Sequence, residues 1–285
     1  MKSAPYPKQP DLKGVQDRLT AIQAILNDLG RDLIRIQQRE LQIKTKSNAL
    51  DLVTQADFLS EERIKTWVQT HYPDDAILAE ESGRSIPNQD SGLTWVIDPI
   101  DGTINFAHGL PLFSISIGLA QGSQALGGLV YVPAMKDLYS ASQGQGAWKN
   151  GQRIQVSKRS EFSQALVVTG FPYSRHKYID QLTNVVRCLL LKGRGLRRTG
   201  AASIDLCWLA EGRFDAYYEL ILQPWDTCAG SAILSEAGGQ LTDLFGEHWD
   251  ISHQTLCASN GLVQAEFLEC LTGLQELPEL QIRHF

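Results

Sequence analysis

Along residues 11–39, apolar positions recur at intervals of three and four: Leu12, Val15, Leu19, Ile22, Leu26, Leu29 and Leu33. This period predicts an amphipathic helix whose apolar stripe packs on a core. The stretch 41–53 reads as extended chain. A second helix is predicted from Thr54 to about His71-Tyr72-Pro73, with the Thr54 hydroxyl capping its first turn and Asp57, three residues on, completing a capping box. The apolar runs AILAE (76–80) and LTWVID (93–98) read as short buried strands.

Between Phe113 and Val156 the pattern becomes repeated β segments: FSISIGLA, ALGGLVYV, DLYSAS, and a last pair, AWK and QRIQV, joined by Asn150-Gly151. Such a dipeptide signals a hairpin, because a type I′ turn needs positive φ at both central residues. The rest of the chain alternates. Strand ALVVTG (165–170) precedes a helix near 175–192, strand GLRRTG precedes a helix from Ala201 to Glu211, and strand DAYYEL (215–220) precedes a helix from about Trp225 to Ala237-Gly238-Gly239. Strands accompanied by helices in both halves predict a layered, mixed α/β architecture. With no internal repeat or low-complexity linker, the chain reads as one domain over 1–285, with an N-terminal α+β half (about 11–160) and a C-terminal α/β half (about 161–285).

Composition narrows the function. A formal charge of −6 provides no cationic field for a nucleic-acid backbone, and no run approaches the ~20 apolar residues of a membrane span. The N-terminus MKSAPYPKQP has neither a signal-peptide core nor an arginine, so a cytoplasmic protein is expected. Cys188, Cys207, Cys228, Cys257 and Cys270 are odd in number and include no C-x-x-C pair, which predicts buried free thiols. The glycines of SQGQGAWKNG lie between strands, and no G-x-x-x-x-G-K-[ST] phosphate loop occurs anywhere.

The chemistry concentrates at Trp95-Val-Ile-Asp98-Pro99-Ile100-Asp101-Gly102-Thr103, where an apolar strand runs into two acids, a proline and a glycine. Pro99 biases Asp98 towards extended geometry, so the strand is expected to end there with both carboxylates converging. Two ionised acids at close range repel unless a cation lies between them, and all-oxygen donors suit magnesium. A helix starting after Thr103 would offer free N–H groups to a phosphate, and Gly102 would let the backbone come close. An acidic strand end with a capping threonine is the plain alternative. Glu80-Glu81 after AILA, and Asp226 at a helix start, carry the same pair of readings: metal ligands, or a solvated strand end and a residue favoured by the helix dipole.

Taken together, DLVTQAD (51–57), LAEESG (78–83), WVIDPIDGTINFAHGLP (95–111), GAWKNGQRIQVS (146–157), TGAASIDLCWLAEGRFDAYYE (199–219) and PWDTCAGSAILSEAGG (224–239) resemble the inositol monophosphatase family of lithium-sensitive phosphatases. Haloacid-dehalogenase phosphatases place the two acids of their D-x-D-G-T two apart, whereas Asp98 and Asp101 are three apart. The resemblance implies a layered αβαβα sandwich of the inositol monophosphatase and fructose-1,6-bisphosphatase type. It also implies two or three Mg²⁺ ions, bound by Glu80, Asp98, the Ile100 carbonyl, Asp101 and Asp226, with Glu81 and Lys46 in support. Glu80 would help hold the attacking water, and Thr103, hydrogen-bonded to Asp57, would help activate it. Asp101, Gly102, Thr103, Gly200, Ala201, Ala202, Glu219 and Asp226 would bind the substrate. The chain departs from the family at Ile104, where a second threonine is commoner, and residues 171–198 match no family motif.

The resemblance further implies hydrolysis of a small phosphate monoester, foremost inositol 1-phosphate, by metal-activated water without a phosphoenzyme, in a lithium-inhibited homodimer. Rivals within the superfamily act on histidinol phosphate, fructose 1,6-bisphosphate or 3′-phosphoadenosine 5′-phosphate, and Lys192, Arg194, Arg197 and Arg198 could receive a second phosphate or form a solvated charge run. A non-catalytic protein that recognises sugar phosphates or regulates a partner is the rival of another class.

Overall fold

The computed structural model describes residues 12–38, 43–45, 52–87, 89 and 91–277. Lys46 lies outside the described residues, as does the Thr54 side chain with its predicted capping role. Helix α1 (Leu12–Gln37) buries Val15, Leu19, Ile22, Leu26, Leu29 and Leu33, the stripe set by the sequence period. The antiparallel pair β1 (Ile43–Thr45) and β2 (Leu52–Thr54) leads directly into α2 (Gln55–His71).

Next come β3 (Ala76–Ala79), β4 (Gly83–Ser85), β5 (Thr94–Asp101), the short α3 (Thr103–Ala107), β6 (Ser114–Gln121), β7 (Gln124–Val132), β8 (Asp137–Ser142), β9 (Ala147–Lys149) and β10 (Gln152–Ile154). They form one sheet ordered β10-β9-β8-β7-β6-β5-β3-β4, in which β3 runs parallel to β5 and the other neighbours are antiparallel. Asn150 and Gly151 take φ of 49° and 77°, as the predicted hairpin turn requires.

The second half comprises β11 (Leu166–Thr169), α4 (Ile179–Lys192), β12 (Gly195–Arg197), α5 (Ala202–Ala210), β13 (Ala216–Leu220), α6 (Pro224–Glu236), β14 (Gln240–Thr242), β15 (Thr255–Ser259), α7 (Gln264–Cys270) and α8 (Thr272–Gln275). Its sheet runs β12-β11-β13-β15-β14. Helix α4 starts at Ile179 rather than near 175, because Arg175–Lys177 form a single 3₁₀ turn.

Three apolar clusters fill the spaces between successive layers. The first joins α1 and α2 to one face of the large sheet, through residues such as Leu26, Ile64, Trp95 and Ile117. The second packs α5 and α6 between the two sheets, through Leu206, Cys228, Val130 and Tyr217. The third lays α4, α7 and α8 on the outer face of the small sheet, through Leu189, Phe267, Leu274 and Tyr218. The order is therefore αβαβα, the outer helices α1 and α4 burying one apolar stripe each and the central α5 and α6 buried on nearly every side. No described helix is long and apolar enough to cross a membrane.

The cysteines depart from the expectation of free thiols. Cys188 of α4 and Cys270 of α7 form a disulfide with their Cα atoms 5.5 Å apart, while Cys207, Cys228 and Cys257 are buried and free. The partners are 82 residues apart in sequence, and only the side-by-side packing of the two helices brings them together. Reduction is expected to cost about 2–4 kcal/mol, since a bond closing a long loop constrains the unfolded chain. Urea unfolding with and without reductant checks this, with Cys188→Ser as the variant that should ignore reductant.

Candidate active site

Asp98 and Asp101 are three positions apart, and in a regular strand an odd spacing points side chains to opposite faces. The structure solves this with a bulge. Asp98 pairs with Ser116 and Asp101 with Ser114, so three steps on β5 oppose two on β6 and both acids share one face. Pro99, which has no N–H to give a ladder, falls within the irregularity. The strand thus continues through Asp101 instead of ending at Asp98, and the convergence of the carboxylates comes from the bulge.

Glu80 arrives on the parallel neighbour. Ala79 pairs with Ile97, and the Glu80 N–H donates to the Ile97 carbonyl at 3.2 Å, which places Glu80 beside Asp98 at the same strand ends. Asp226 belongs to the first turn of α6, where its Oδ2 accepts the Gln223 N–H at 2.7 Å in a capping box. Helix α6 can lie on the sheet because Gly118 and Gly128 are cross-strand partners that present no side chain. A Cβ on Gly118 would come within 2.4 Å of Cys228 Sγ, and one on Gly128 within 2.4 Å of Ala229 Cα.

Helix α5 grips Asp101. The Ala202 and Ser203 N–H groups donate to its two oxygens at 3.2 and 2.7 Å, and the Ser203 hydroxyl adds a third bond at 2.6 Å. The Thr103 hydroxyl lies 3.3 Å from Asp57 Oδ1 and 3.0 Å from the Ile100 carbonyl, one proton facing two acceptors. Gly102 caps α3 at φ 92°, where a side chain would press on the Leu112 carbonyl at 2.9 Å and the Ala201 methyl at 3.2 Å. Asn105 ties α3 to the 199–202 loop by donating to the Thr199 carbonyl at 2.9 Å.

Glu80, Asp98, Ile100, Asp101, Gly102, Thr103, Gly200, Ala202, Glu219 and Asp226 line one cleft of about 630 Å³, a size suited to a small polar substrate. Ala201 packs beneath Gly102 instead, Glu81 turns its N–H to Glu61, and Asp57 reaches the cleft through Thr103. Sequence reading missed Ser203, which fixes Asp101, and Tyr217, whose hydroxyl donates to Glu219 Oε2 at 2.8 Å. Asp101 is remote from Ser203 in the chain, whereas Tyr217 and Glu219 share one face of β13 at a spacing of two, a signal the sequence did carry. Sequence reading also missed the opposite wall: Phe171, Arg175 and Lys177 line the same cleft, from the stretch that matches no motif. Of the basic run 192–198 only Arg198 lines it, while Lys192 pairs with Glu269 at 2.9 Å.

Burial is the largest influence on the acids. It pushes Asp98 well above the usual carboxylate range, and the charges of Glu80, Asp101, Asp226 and Asp57 push it further. Asp226 moves the same way, by burial and then by Glu80, Asp101 and Glu219, against the Gln223 hydrogen bond. Burial carries Asp101 to about 6 despite the donors from Ser203 and Ala202, and Glu219 to about 7 despite Tyr217. A carboxyl whose pKa is raised on folding stabilises the fold below its unfolded value and loses that contribution as pH climbs through the folded value. In metal-free protein the window runs from about pH 4 to about pH 7 for this pair. The melting temperature in EDTA should therefore fall between pH 5 and pH 8 in scanning fluorimetry, and a flat or rising profile would contradict the shifts.

The donor set fits a hard divalent cation in kind: it is all oxygen, buried and mutually repelling. Each carboxylate keeps acceptor sites beyond its protein hydrogen bonds, having about four in all. Among the described residues, however, no three acidic, histidine or cysteine side chains are so placed that they could hold an ion as they stand. Asp101 and Asp226 direct oxygens at backbone donors.

The model of the inositol monophosphatase family matches residues 15–276. A putative Nus factor SuhB from Neisseria meningitidis serogroup B is 40% identical over 245 residues, 86% of this chain and 94% of that protein. A fructose-1,6-bisphosphatase/inositol-1-monophosphatase from Aquifex aeolicus is 41% identical over 202 residues, 71% of this chain and 75% of its own length. The solved Thermotoga maritima IMPase superposes with a TM-score of 0.82 at 32% identity, covering 91% of this chain and 99% of that one.

Proposed function

The chain belongs to the inositol monophosphatase family, and on that premise we propose that it is a magnesium-dependent phosphatase of a small polyol monophosphate, foremost inositol 1-phosphate. The observation that carries this reading is the gathering of Glu80, Asp98, Asp101 and Asp226, from four separate segments, into one cleft beside Gly102 and Thr103.

In this reading Glu80, Asp98, the Ile100 carbonyl, Asp101 and Asp226 hold magnesium, which when bound supplies the positive charge that a phosphoryl dianion needs among so many carboxylates. Gly102 and Thr103 receive the phosphate. Thr103 Oγ1 accepts a proton from the attacking water as its own passes to Asp57 Oδ1, 3.3 Å away. Asp57 is fully buried, so it acts through Thr103, while Glu80 orients the water from the cleft wall. One P–O bond forms as the bond to the alcohol oxygen breaks, and the leaving alkoxide takes its proton from solvent water in the open cleft, while the proton held on Asp57 returns to solvent through Thr103. Gly200, Ala202 and Glu219 border the alcohol, and Tyr217 holds one Glu219 oxygen so that the other can face a polyol hydroxyl.

Phosphate release from inositol 1-phosphate, histidinol phosphate, fructose 1,6-bisphosphate and 3′-phosphoadenosine 5′-phosphate, with and without magnesium, tests this reading. Fastest turnover of inositol 1-phosphate, only with magnesium, is expected. The same assay with added lithium and a sedimentation run address lithium inhibition and a homodimer, both part of this proposal. A second reading, a bisphosphate substrate, is favoured by Arg175, Lys177 and Arg198 lining the cleft, and the Aquifex relative bears a matching name. A higher kcat/KM for fructose 1,6-bisphosphate selects it. No release from any substrate removes both readings and leaves a non-catalytic role, in line with the name of the Neisseria relative.

A further inference from the structure

Helix α2 meets both acidic loops with one face. Asp57, Ser60 and Glu61 stand at i, i+3 and i+4, and all three are buried. Asp57 accepts from Thr103, the Ser60 hydroxyl donates to the Pro99 carbonyl at 3.1 Å, and Glu61 Oε2 accepts the Glu81 N–H at 2.8 Å. One turn further on, Lys65 Nζ donates to Ser82 Oγ at 2.7 Å and lies 3.8 Å from Glu61 Oε1.

What these contacts hold is the loop that carries Glu80. Strands β3 and β4 form a hairpin in which Ala79 pairs with Gly83, leaving Glu80, Glu81 and Ser82 as its loop, and β4 is the edge strand of the sheet. Short edge hairpins open easily, because few contacts restrain them. A side chain on such a loop keeps a fixed position only when something outside the hairpin grips the backbone. The Ile97 carbonyl does so at Glu80 itself and Glu61 at Glu81, while Lys65 holds the Ser82 side chain, and neither Glu61 nor Lys65 lines the cleft. A neutral residue could accept one N–H at lower cost, since burying a carboxylate strips it of hydration. What the charge adds is a stronger bond to the Glu81 N–H and a hold on Lys65, which in turn reaches Ser82.

We propose that Glu61, braced by Lys65, is a positioning residue that fixes the Glu80 loop for cation binding through the Glu81 N–H and Ser82. This rests on the reading of Glu80 as a ligand in the cleft. Groups that orient metal ligands from behind change affinity by about 10–100-fold when removed. The test is calorimetric titration of Mn²⁺ into the metal-free full-length protein, with far-UV circular dichroism to check each fold. Glu61→Ala should weaken Mn²⁺ binding about 10–100-fold. Glu61→Gln, whose Oε1 can still accept the Glu81 N–H, should lose less, and Lys65→Met should also weaken it. In a Glu80→Gln background the Glu61→Ala effect should largely vanish, as a double-mutant cycle requires when one residue acts through another.

Wild-type affinity in Glu61→Ala, or an undiminished loss in the Glu80→Gln background, overturns the clasp while leaving the phosphatase reading intact. No Mn²⁺ uptake by the wild type overturns the ligand reading and the clasp with it. If Glu61→Ala does not fold, Glu61→Gln and Lys65→Met decide: wild-type affinity in both overturns the clasp, and weakened affinity in both supports it.

Discussion

Replacing Asp98 with asparagine is expected to abolish phosphate release, by about 10³-fold or more, while raising the melting temperature of the metal-free protein. The loss corresponds to roughly 4 kcal/mol of barrier, in the range for a group proposed to hold magnesium against the phosphoryl group. The gain has a separate cause. Asp98 is buried among four other carboxylates, Glu80, Asp101, Asp226 and Asp57, and each raises the cost of its charge. Asparagine keeps the shape and retains an oxygen for the Ile100 N–H, which Asp98 Oδ1 accepts at 3.0 Å. Relief of such a site typically returns about 0.5–2 kcal/mol. Asp101→Asn should behave differently in stability, because both Asp101 oxygens accept from α5 and an amide NH₂ would face a donor there. Scanning fluorimetry in EDTA separates the two variants. With magnesium the order should invert, since only the wild type gains from binding the ion. Retained phosphatase activity in Asp98→Asn, or a lower metal-free melting temperature than wild type, would count against this account of the cluster.

The two acids of D-P-I-D-G-T were legible in the sequence because no packing requirement explains them, but the means of their convergence was not. Proline at 99 suggested a strand end, whereas the sheet accommodates it in a bulge, and the bulge is a property of pairing with Ser114 and Ser116 on another strand. Asp226 carried two readings that turn out to be compatible. It caps α6 through the Gln223 N–H and lines the cleft with the same side chain. The amphipathic period of α1 was readable from Val15 to Leu33, since one stripe and one core settle it, and only Leu12 of the expected stripe lies exposed in the first turn. Ser203 and Glu61 were not readable, because each matters through a partner that only the tertiary fold supplies, whereas Tyr217 meets Glu219 two residues on in the same strand and the period of two could have paired them. The disulfide between Cys188 and Cys270 belongs with Ser203 and Glu61. Residues 171–174 stayed unread and 175–177 read as the start of the following helix, because irregular chain has no period of its own, although the whole stretch forms a wall of the cleft.

Gly128→Ala is expected to cost about 1–3 kcal/mol of stability and most of the activity, from a single added methyl group far from any reacting atom. The new Cβ would lie 2.4 Å from Ala229 Cα and 2.8 Å from its carbonyl oxygen, both backbone atoms of α6, so no side-chain rotation relieves the overlap. The helix must lift from β6 and β7, or those strands must bend, and close-packed interiors resist both. Ala229 stands one helical turn after Asp226, so lifting α6 there carries Asp226 out of line with Asp98 and Asp101. Displacement of a catalytic group by about 1 Å can cost 10²-fold in rate. Gly118, the cross-strand partner, is the milder position: its added Cβ meets first the Cys228 Sγ, and Cys228→Ala removes that atom. Gly118→Ala should therefore be partly rescued by Cys228→Ala, whereas no neighbouring side-chain truncation should rescue Gly128→Ala. Gly273→Ala, in α8 with open space around its Cβ, is the control, expected to melt at or slightly above the wild type. Urea unfolding and phosphate release measured on the four variants check the argument. A Gly128→Ala protein that unfolds and turns over like the wild type would mean that α6 is not seated on these glycines as described.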